Sequence, residues 1–265
     1  MSRAADVGLA RVLRRARRPS RRLWTPEDRA PGYAGQWSSR HASVANLAVN
    51  DNVPSWTGAG AAPAVAHATG GQRPKRGVLA NGEPTVDFDG VDDMLYTSSD
   101  VVPDGVTSAW VLVVGGFTAL SGTAAPNTLF NLGSGNADGG MVGGAQYPST
   151  GVWFEGTTSF SGSTPRGGTS DLSLHTFLFL WDLVANGGVK LWVDGASQTM
   201  TKPGNPGFVA AAGGSSLGAC NVFGSSAGYY HGACRLMRVV YGFGWENPSA
   251  NDIAASAAYG ARIVA

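Results

Sequence analysis

A chain of 265 residues, 43% of them hydrophobic, suits one large all-β domain or two small domains and can bury a real core. Its net charge is only +1, and its 14% of charged residues is below the usual share, so the chain as a whole is neither strongly basic nor strongly acidic. No stretch approaches the ~18 apolar residues of a membrane span. The N-terminus lacks the apolar segment of a secretory signal, although its arginine-rich, acid-poor composition resembles that of a transit peptide.

The small net charge hides an asymmetry. Residues 1–22 carry eight arginines against one acid, Asp6, whereas the remainder carries eleven basic residues against seventeen acidic ones. Seven of those arginines (Arg11, Arg14, Arg15, Arg17, Arg18, Arg21 and Arg22) fall within twelve positions. Leu9, Val12, Leu13 and Ala16 recur at helical spacing, which predicts an amphipathic helix from about Ser2 to Arg18, ended by Pro19. A charge block of this kind reads as an interaction arm. The chain therefore divides into a basic docking arm, 1–22, and one domain, 23–265, that opens at Leu23-Trp24.

From Tyr33 to Gly71 the signals are irregular and predict short strands and long loops around Trp37 and Trp56. Strand signals then dominate: "PTVDFDG", "TSAWVLVVGGFTAL", "NTLFNLG", "GVWFEG", "HTFLFLWDL", "GGVKLWVDG", "SSLGACNVFG" and "GACRLMRVVYGFG". Turn residues separate them at short spacing, the pattern of a sandwich or barrel. Val189, Leu191 and Val193 alternate, and Asp194-Gly195 is a turn signal. In the closing strand Leu236 and Val240 are expected to face inward and Arg235 and Arg238 outward; a one-residue slip inverts that facing. "NPSANDIAASAAYGARI" predicts a C-terminal helix with an Asn247 cap and Pro248 at the first helical position.

Three segments together, 73–97 with "FDGVDDML", 175–195 with "KLWVDG", and 217–245 with "YYHGACRLMRVVY", resemble the LamG-like, concanavalin A-like lectin/glucanase superfamily, and more narrowly its bacterial and phage branch. The resemblance spans nearly all of 23–265. It implies an all-β jelly-roll sandwich of two antiparallel sheets, with Phe88 in the core and Asp89-Gly90 turning into the next strand. Asp92 and Asp93 would brace that turn through side-chain to backbone bonds.

Glucanases of this superfamily work with paired carboxylates. Here the four glutamates, Glu27, Glu83, Glu155 and Glu246, are far apart in sequence, and no E-x-D-x-E pattern occurs. The expectation is therefore a non-enzyme with no catalytic residues and no cofactor. His41, His67, His175 and His231 are scattered, with no second ligand at metal spacing; His231 is expected on a strand surface. Some relatives bind calcium through loop carboxylates, which makes Asp89, Asp92 and Asp93 the metal candidates, with oxygens also on Asp182 and Asp194. Turn bracing is the preferred role, because hard cations want six or more oxygens. A hairpin centred near Ala227-Gly228 would set Cys220 opposite Cys234, leaving open a disulfide or two buried thiols.

The resemblance and the arm imply a virion structural or attachment protein, a capsid decoration or tail/fibre component of a bacteriophage or phage-like particle, assembled in the host cytoplasm. Its arm would dock on other virion subunits, in a homo-oligomer or symmetric assembly without membrane contact. A basic arm with no stacking platform beside it argues against nucleic acid. The alternative is a carbohydrate-binding module or adhesin for host surface glycan, with Trp153, Trp192, Tyr229, Tyr230 and Trp245 as candidate sugar contacts. Core or sheet packing is the competing role for each of these aromatics.

Overall fold

A computed structural model describes residues 23–103, 106–119, 126–132, 141–146, 151–155, 166–167, 171–182, 188–201, 213–217, 219–221 and 229–265. The arm, 1–22, lies outside the described residues. The described residues are mostly β-strand, in two antiparallel sheets packed face to face, with a helix at the C-terminus.

The first sheet runs in spatial order Ala196–Ser197, Gly188–Val193, His175–Asp182, Ser108–Phe117, Ala233–Phe243, Tyr33–Ser38 and Gly58–Gly60. Pro84–Asp89 pairs with the start of Ala233–Phe243 and carries Lys75–Val78 on its other side. The second sheet runs Met200–Thr201, Arg166–Gly167, Gly151–Glu155, Met141–Gln146, Pro126–Leu132, Gly213–Leu217, Leu95–Val102, Val65–Ala66 and Ser55–Trp56. A two-stranded ribbon joins Ala219–Asn221 to Tyr229–His231.

Between the sheets lies one apolar core. The first sheet contributes Val86, Phe88, Val111, Val113, Phe177, Phe179, Leu191, Leu236 and Tyr241; the second contributes Trp56, Val65, Leu95, Phe130 and Leu132. Phe130 and Phe179 meet edge to face across the gap at 5.3 Å between ring centres, a favourable aromatic geometry. Strand alternation read from the sequence thus places Phe88, Leu191 and Leu236 where expected.

The strand Ser108–Phe117 is buried at every position, because the first sheet is covered on both faces. Trp110, Leu112, Val114, Leu178, Met237 and Val240 form a second apolar cluster with Tyr259 and Ile263 of the helix Ala250–Val264. Ser256, Tyr259, Gly260 and Ile263 are the buried residues of that helix, at the spacing of a single helical stripe. A strand sandwiched in this way reads as a continuous apolar run rather than an alternating one.

Three sequence expectations change here. Val240 is buried, but in the helix-side cluster, and Val239 takes the inward position. A bulge between Leu236 and Arg238 sets two residues opposite one and inverts the alternation beyond it. Arg238, expected outside, is only 5% exposed. The C-terminal helix is capped by Ser249 rather than Asn247. The Ser249 hydroxyl accepts the Asp252 N–H at 3.2 Å and the Asp252 carboxylate accepts the Ser249 N–H at 3.2 Å, a reciprocal capping box. Asn247 instead accepts a hydrogen bond from Lys190 Nζ at 3.2 Å.

The expected pairing of Cys220 with Cys234 is also corrected. Cys220 stands opposite Tyr230 in the ribbon, while Cys234 lies in the first sheet opposite Phe88 and Phe117. The chain leaves the ribbon at Gly232, so the two cysteines do not share a ladder. Cys234 is a free, buried thiol that donates to the Thr128 carbonyl at 3.7 Å; burial pushes its pKa well above the ordinary thiol range, so it is inert.

Candidate functional site

The turn Asp89–Asp93 joins the strands Pro84–Asp89 and Leu95–Val102. Asp89 Oδ1 accepts the N–H groups of Val91 at 2.8 Å, Asp92 at 3.3 Å and Asp93 at 3.4 Å. Asp93 Oδ2 accepts the Asp89 N–H in return at 3.0 Å. These are the bracing bonds that a tight turn containing Gly90 requires. One oxygen from each of Asp89, Asp92 and Asp93 lies within 4.8 Å of the others. The carboxylates do converge, but Asp89 Oδ1 and Asp93 Oδ2 are already committed to amides. Four carboxylate oxygens are left over, by themselves fewer than the six to eight that calcium takes. The donor set fits a braced turn better than a resident ion.

Crowding has an electrostatic consequence. Burial, followed by repulsion from Asp89 and Asp92, pushes the Asp93 pKa up to about 6, against the opposing pull of the Asp89 N–H bond and Lys75. Between the ordinary carboxylate value of 3.8 and about 6 the folded chain holds a proton that the unfolded chain has released. Stability is therefore expected to fall as pH rises through that window, with the full penalty present above it. Asp93→Asn keeps an acceptor for the Asp89 N–H and removes the charge. It should flatten this part of the pH profile and stabilise the protein at pH 8 by about 2 kcal/mol, read by urea unfolding at several pH values. Lower stability of the variant at pH 8 would contradict the assignment.

His231 ends the strand Tyr229–His231, half-buried beside this turn, with Nδ1 3.1 Å from the Asp93 carbonyl. His175 has partners that spacing alone did not reveal: Nδ1 is 2.6 Å from Asp194 Oδ2 and Nε2 is 2.9 Å from Asp171 Oδ1. Burial pulls its pKa down, but the two carboxylate hydrogen bonds outweigh burial and raise it, favouring the imidazolium. Asp194 Oδ1 also accepts the Thr176 N–H at 2.8 Å, and Asp194 and Gly195 both have positive φ, as the sequence's turn signal requires. This constellation pins the Asp194-Gly195 turn.

The aromatic candidates divide by burial. Trp245 is 4% exposed and packs edge-on against Trp110 at 5.4 Å, so it is a core residue and not a sugar-stacking surface. Trp192 is half-buried against the same cluster. Trp153, Tyr229 and Tyr230 occupy strand positions, but their side chains lie outside the described residues.

Sequence reasoning missed Tyr96. In Leu95–Val102, Leu95 enters the core and Tyr96 points the other way, onto the outer face of the second sheet, where it is 44% exposed. His67 packs edge-on against it at 5.6 Å, and the neighbouring strand sets Ala66 opposite Tyr96. Arg73 holds the His67 loop by donating to the carbonyls of His67 at 2.7 Å and Ala68 at 2.8 Å. The result is an outward aromatic ring on a sheet, supported from the side. The available signal was the step from Leu95 to Tyr96 followed by "TSS", an aromatic in the polar phase of an alternating strand.

With this geometry, the chain is similar to a Trypanosoma rangeli sialidase solved with 2-keto-3-deoxy-D-glycero-D-galacto-2,3-difluoro-nononic acid. The TM-score is 0.54 and the identity 9%, over 88% of this chain and 33% of that one. It is also similar to the botulinum neurotoxin serotype C1 binding domain, with TM-score 0.50 and 10% identity over 74% of this chain and 49% of that one. A heptameric SAP-like pentraxin from Limulus polyphemus aligns at TM-score 0.45 and 11% identity over 64% of this chain and 79% of that one. The chain spans about a third of the length of the sialidase. No protein-family model and no curated protein matches the sequence. The fold shared with these structures is a jelly-roll β-sandwich of two antiparallel sheets, the concanavalin A-like architecture.

Proposed function

We propose that this protein is a non-enzymatic carbohydrate-binding module that holds glycan on the outer face of its second sheet. The carrying observation is Tyr96, an exposed ring braced edge-on by His67 on the face of a lectin-like sandwich. Sugar rings present an apolar face bordered by hydroxyls, and an exposed tyrosine offers a matching flat surface with a polar tip. A similar fold solved with a nononic acid derivative makes sugars the first ligand class to test.

Two of the four glutamates are committed to neighbouring side chains. Glu83 is clamped by Arg40, with Nε donating to Oε1 at 2.6 Å and Nη2 to Oε2 at 2.7 Å, and Glu27 accepts from Gln36. Asp89 and Asp93 turn oxygens onto their own loop's amides rather than across a gap.

The particle-bound role implied by the arm draws no support from these similar proteins, so glycan binding is the reading carried forward. The arm as a tether to an acidic protein surface is a proposal from charge alone. Its root is informative: Trp24 packs edge-on against Tyr259 at 6.0 Å, and its carbonyl accepts from Arg262 Nη2 at 2.9 Å. The described chain therefore begins at the C-terminal helix, on the sandwich face opposite Tyr96.

A glycan array probed with the full chain tests the reading. At least one glycan class should be retained, and Tyr96→Ala should weaken its binding by about tenfold or more, roughly 1.4 kcal/mol. A blank array at high protein concentration would overturn the reading.

A further inference from the structure

The C-terminal helix is fastened at its far end by a side chain from a hairpin. Asn81 lies in the exposed loop between Lys75–Val78 and Pro84–Asp89. Its Nδ2 donates to the carbonyls of Ile263 at 3.3 Å and Val264 at 3.1 Å, and its Oδ1 accepts the Glu83 N–H at 3.0 Å. Carbonyls in the last turn of a helix lack partners within it, and here the Asn81 amide supplies them. The next residue is Gly82, with φ +85° and open space where a Cβ would stand. Its N–H is held by the Leu79 carbonyl at 2.9 Å. Asn-Gly occurs twice in the chain, at 81–82 and at 186–187, and the second pair lies outside the described residues.

Asparagine before glycine invites attack of the backbone on the side chain, because glycine has no Cβ to obstruct the approach. The Gly82 nitrogen, giving its proton to hydroxide, bonds to Asn81 Cγ. The Cγ–Nδ2 bond breaks, and Nδ2 takes a proton from water and leaves as ammonia. Water then opens the cyclic imide at either carbonyl, leaving aspartate or isoaspartate at position 81. In the closed fold this step is blocked, because the Asn81 amide is engaged at both ends and the Gly82 N–H is bonded to Leu79. Fraying of the last helical turn frees the amide, and such local opening needs far less than global unfolding. The product cannot fasten the helix again. A carboxylate oxygen then stands where Nδ2 donated, facing two carbonyls at the negative end of the helix dipole.

We propose that Asn81-Gly82 is a self-modifying latch: fraying of the C-terminal helix admits deamidation of Asn81 by water, and deamidation makes release of that helix permanent. The consequence falls on the helix-side cluster of the first sheet. Trp110, Leu112, Val114 and Leu178 keep their cover while Tyr259 and Ile263 stay docked. The folded protein thereby carries a clock whose rate is set by helix docking. The inference is independent of the glycan-binding reading.

Incubation of the full chain at pH 8, followed by peptide mapping that separates position 81 from position 186, tests it. An isoaspartate-specific methyltransferase reads the rerouted product. Conversion at position 81 should be about tenfold or more slower in the folded chain than in guanidinium, and Gly260→Leu, which loosens the helix, should close much of that gap. Asn81→Asp, the product itself, should speed hydrogen exchange across Ala250–Val264 and lower the melting temperature by roughly 5 °C, with protection between the sheets retained. Aged wild-type protein should show the same exchange pattern in proportion to its converted fraction, which keeps the test decisive if the variant folds poorly. Intact Asn81 in folded protein aged many times longer than the unfolded chain needs to convert overturns the site. Equal rates in folded and unfolded chain overturn control by helix docking. Wild-type helix protection in Asn81→Asp and in the converted fraction overturns the latch.

Discussion

Replacing Glu83 with alanine should destabilise the protein by about 2–3 kcal/mol, because Glu83 and its neighbour Arg238 are buried although the clamping Arg40 is 57% exposed. For a domain of this size that corresponds to a melting temperature lower by roughly 5–10 °C. Glu83 is 8% exposed and accepts a two-pronged bond from Arg40, while Arg238 Nη2 lies 3.8 Å away. Arg238 is buried on the helix side of the first sheet. It donates to the Met237 carbonyl at 2.8 Å and to Ser39 Oγ at 3.5 Å. Burial pulls its pKa below the ordinary arginine value, which measures how strained its charge already is. Without Glu83 the guanidinium keeps neutral partners but loses its buried carboxylate. Glu83→Gln should be milder, since it retains an acceptor. A loss below about 1 kcal/mol in Glu83→Ala would show that water reaches Arg238 and that the network is a surface feature.

Gly260→Leu should cost about 3 kcal/mol, at the upper end for overpacking, and should loosen the C-terminal helix selectively. Gly260 lies on the buried stripe of that helix, where a Cβ would collide with Thr176 Oγ1 and come within 2.8 Å of Thr176 Cβ. Thr176 is fixed in turn, because its N–H is held by Asp194 and it stands in the central strand pairing with Val114. The helix cannot simply slide away. Its far end is held by Asn81 Nδ2, which donates to the carbonyls of Ile263 at 3.3 Å and Val264 at 3.1 Å. Hydrogen exchange should therefore accelerate across Ala250–Val264 and in the helix-facing cluster before it does between the sheets. Thr176→Ala removes Oγ1 and Cγ2, two of the three atoms in the way, and should recover part of the stability of Gly260→Ala. Uniform loss of protection throughout the sandwich would contradict a locally docked helix.

What the sequence made legible was whatever depends on near neighbours. Val86 and Phe88 alternate into the core, Asp89-Gly90 and Asp194-Gly195 turn, and the alanine-rich end is a helix. The misreadings share one physical cause, namely that they depend on what lies across the sheet. The bulge at Met237 is defined by its register against Gly115 and Val114, more than a hundred residues earlier, and it decides which of Val239 and Val240 faces inward. Trp245 stood among the sugar-contact candidates, with core or sheet packing the preferred role, and nothing nearby in sequence reveals that Trp110 is what it packs against. Cys220 and Cys234 were expected to stand opposite each other, with the ribbon running straight through Gly232 into the sheet. Tyr96 and His67 meet only through the pairing of Ala66 with Tyr96. No local pattern encodes that contact.

The most direct test of the central claim is a crystal structure of the protein with the tightest-binding glycan from the array. The account predicts a sugar ring lying flat on Tyr96, with His67 at its edge. A glycan seated instead on the helix-backed face, or at the Asp194-Gly195 turn, with Tyr96 bare, would contradict it.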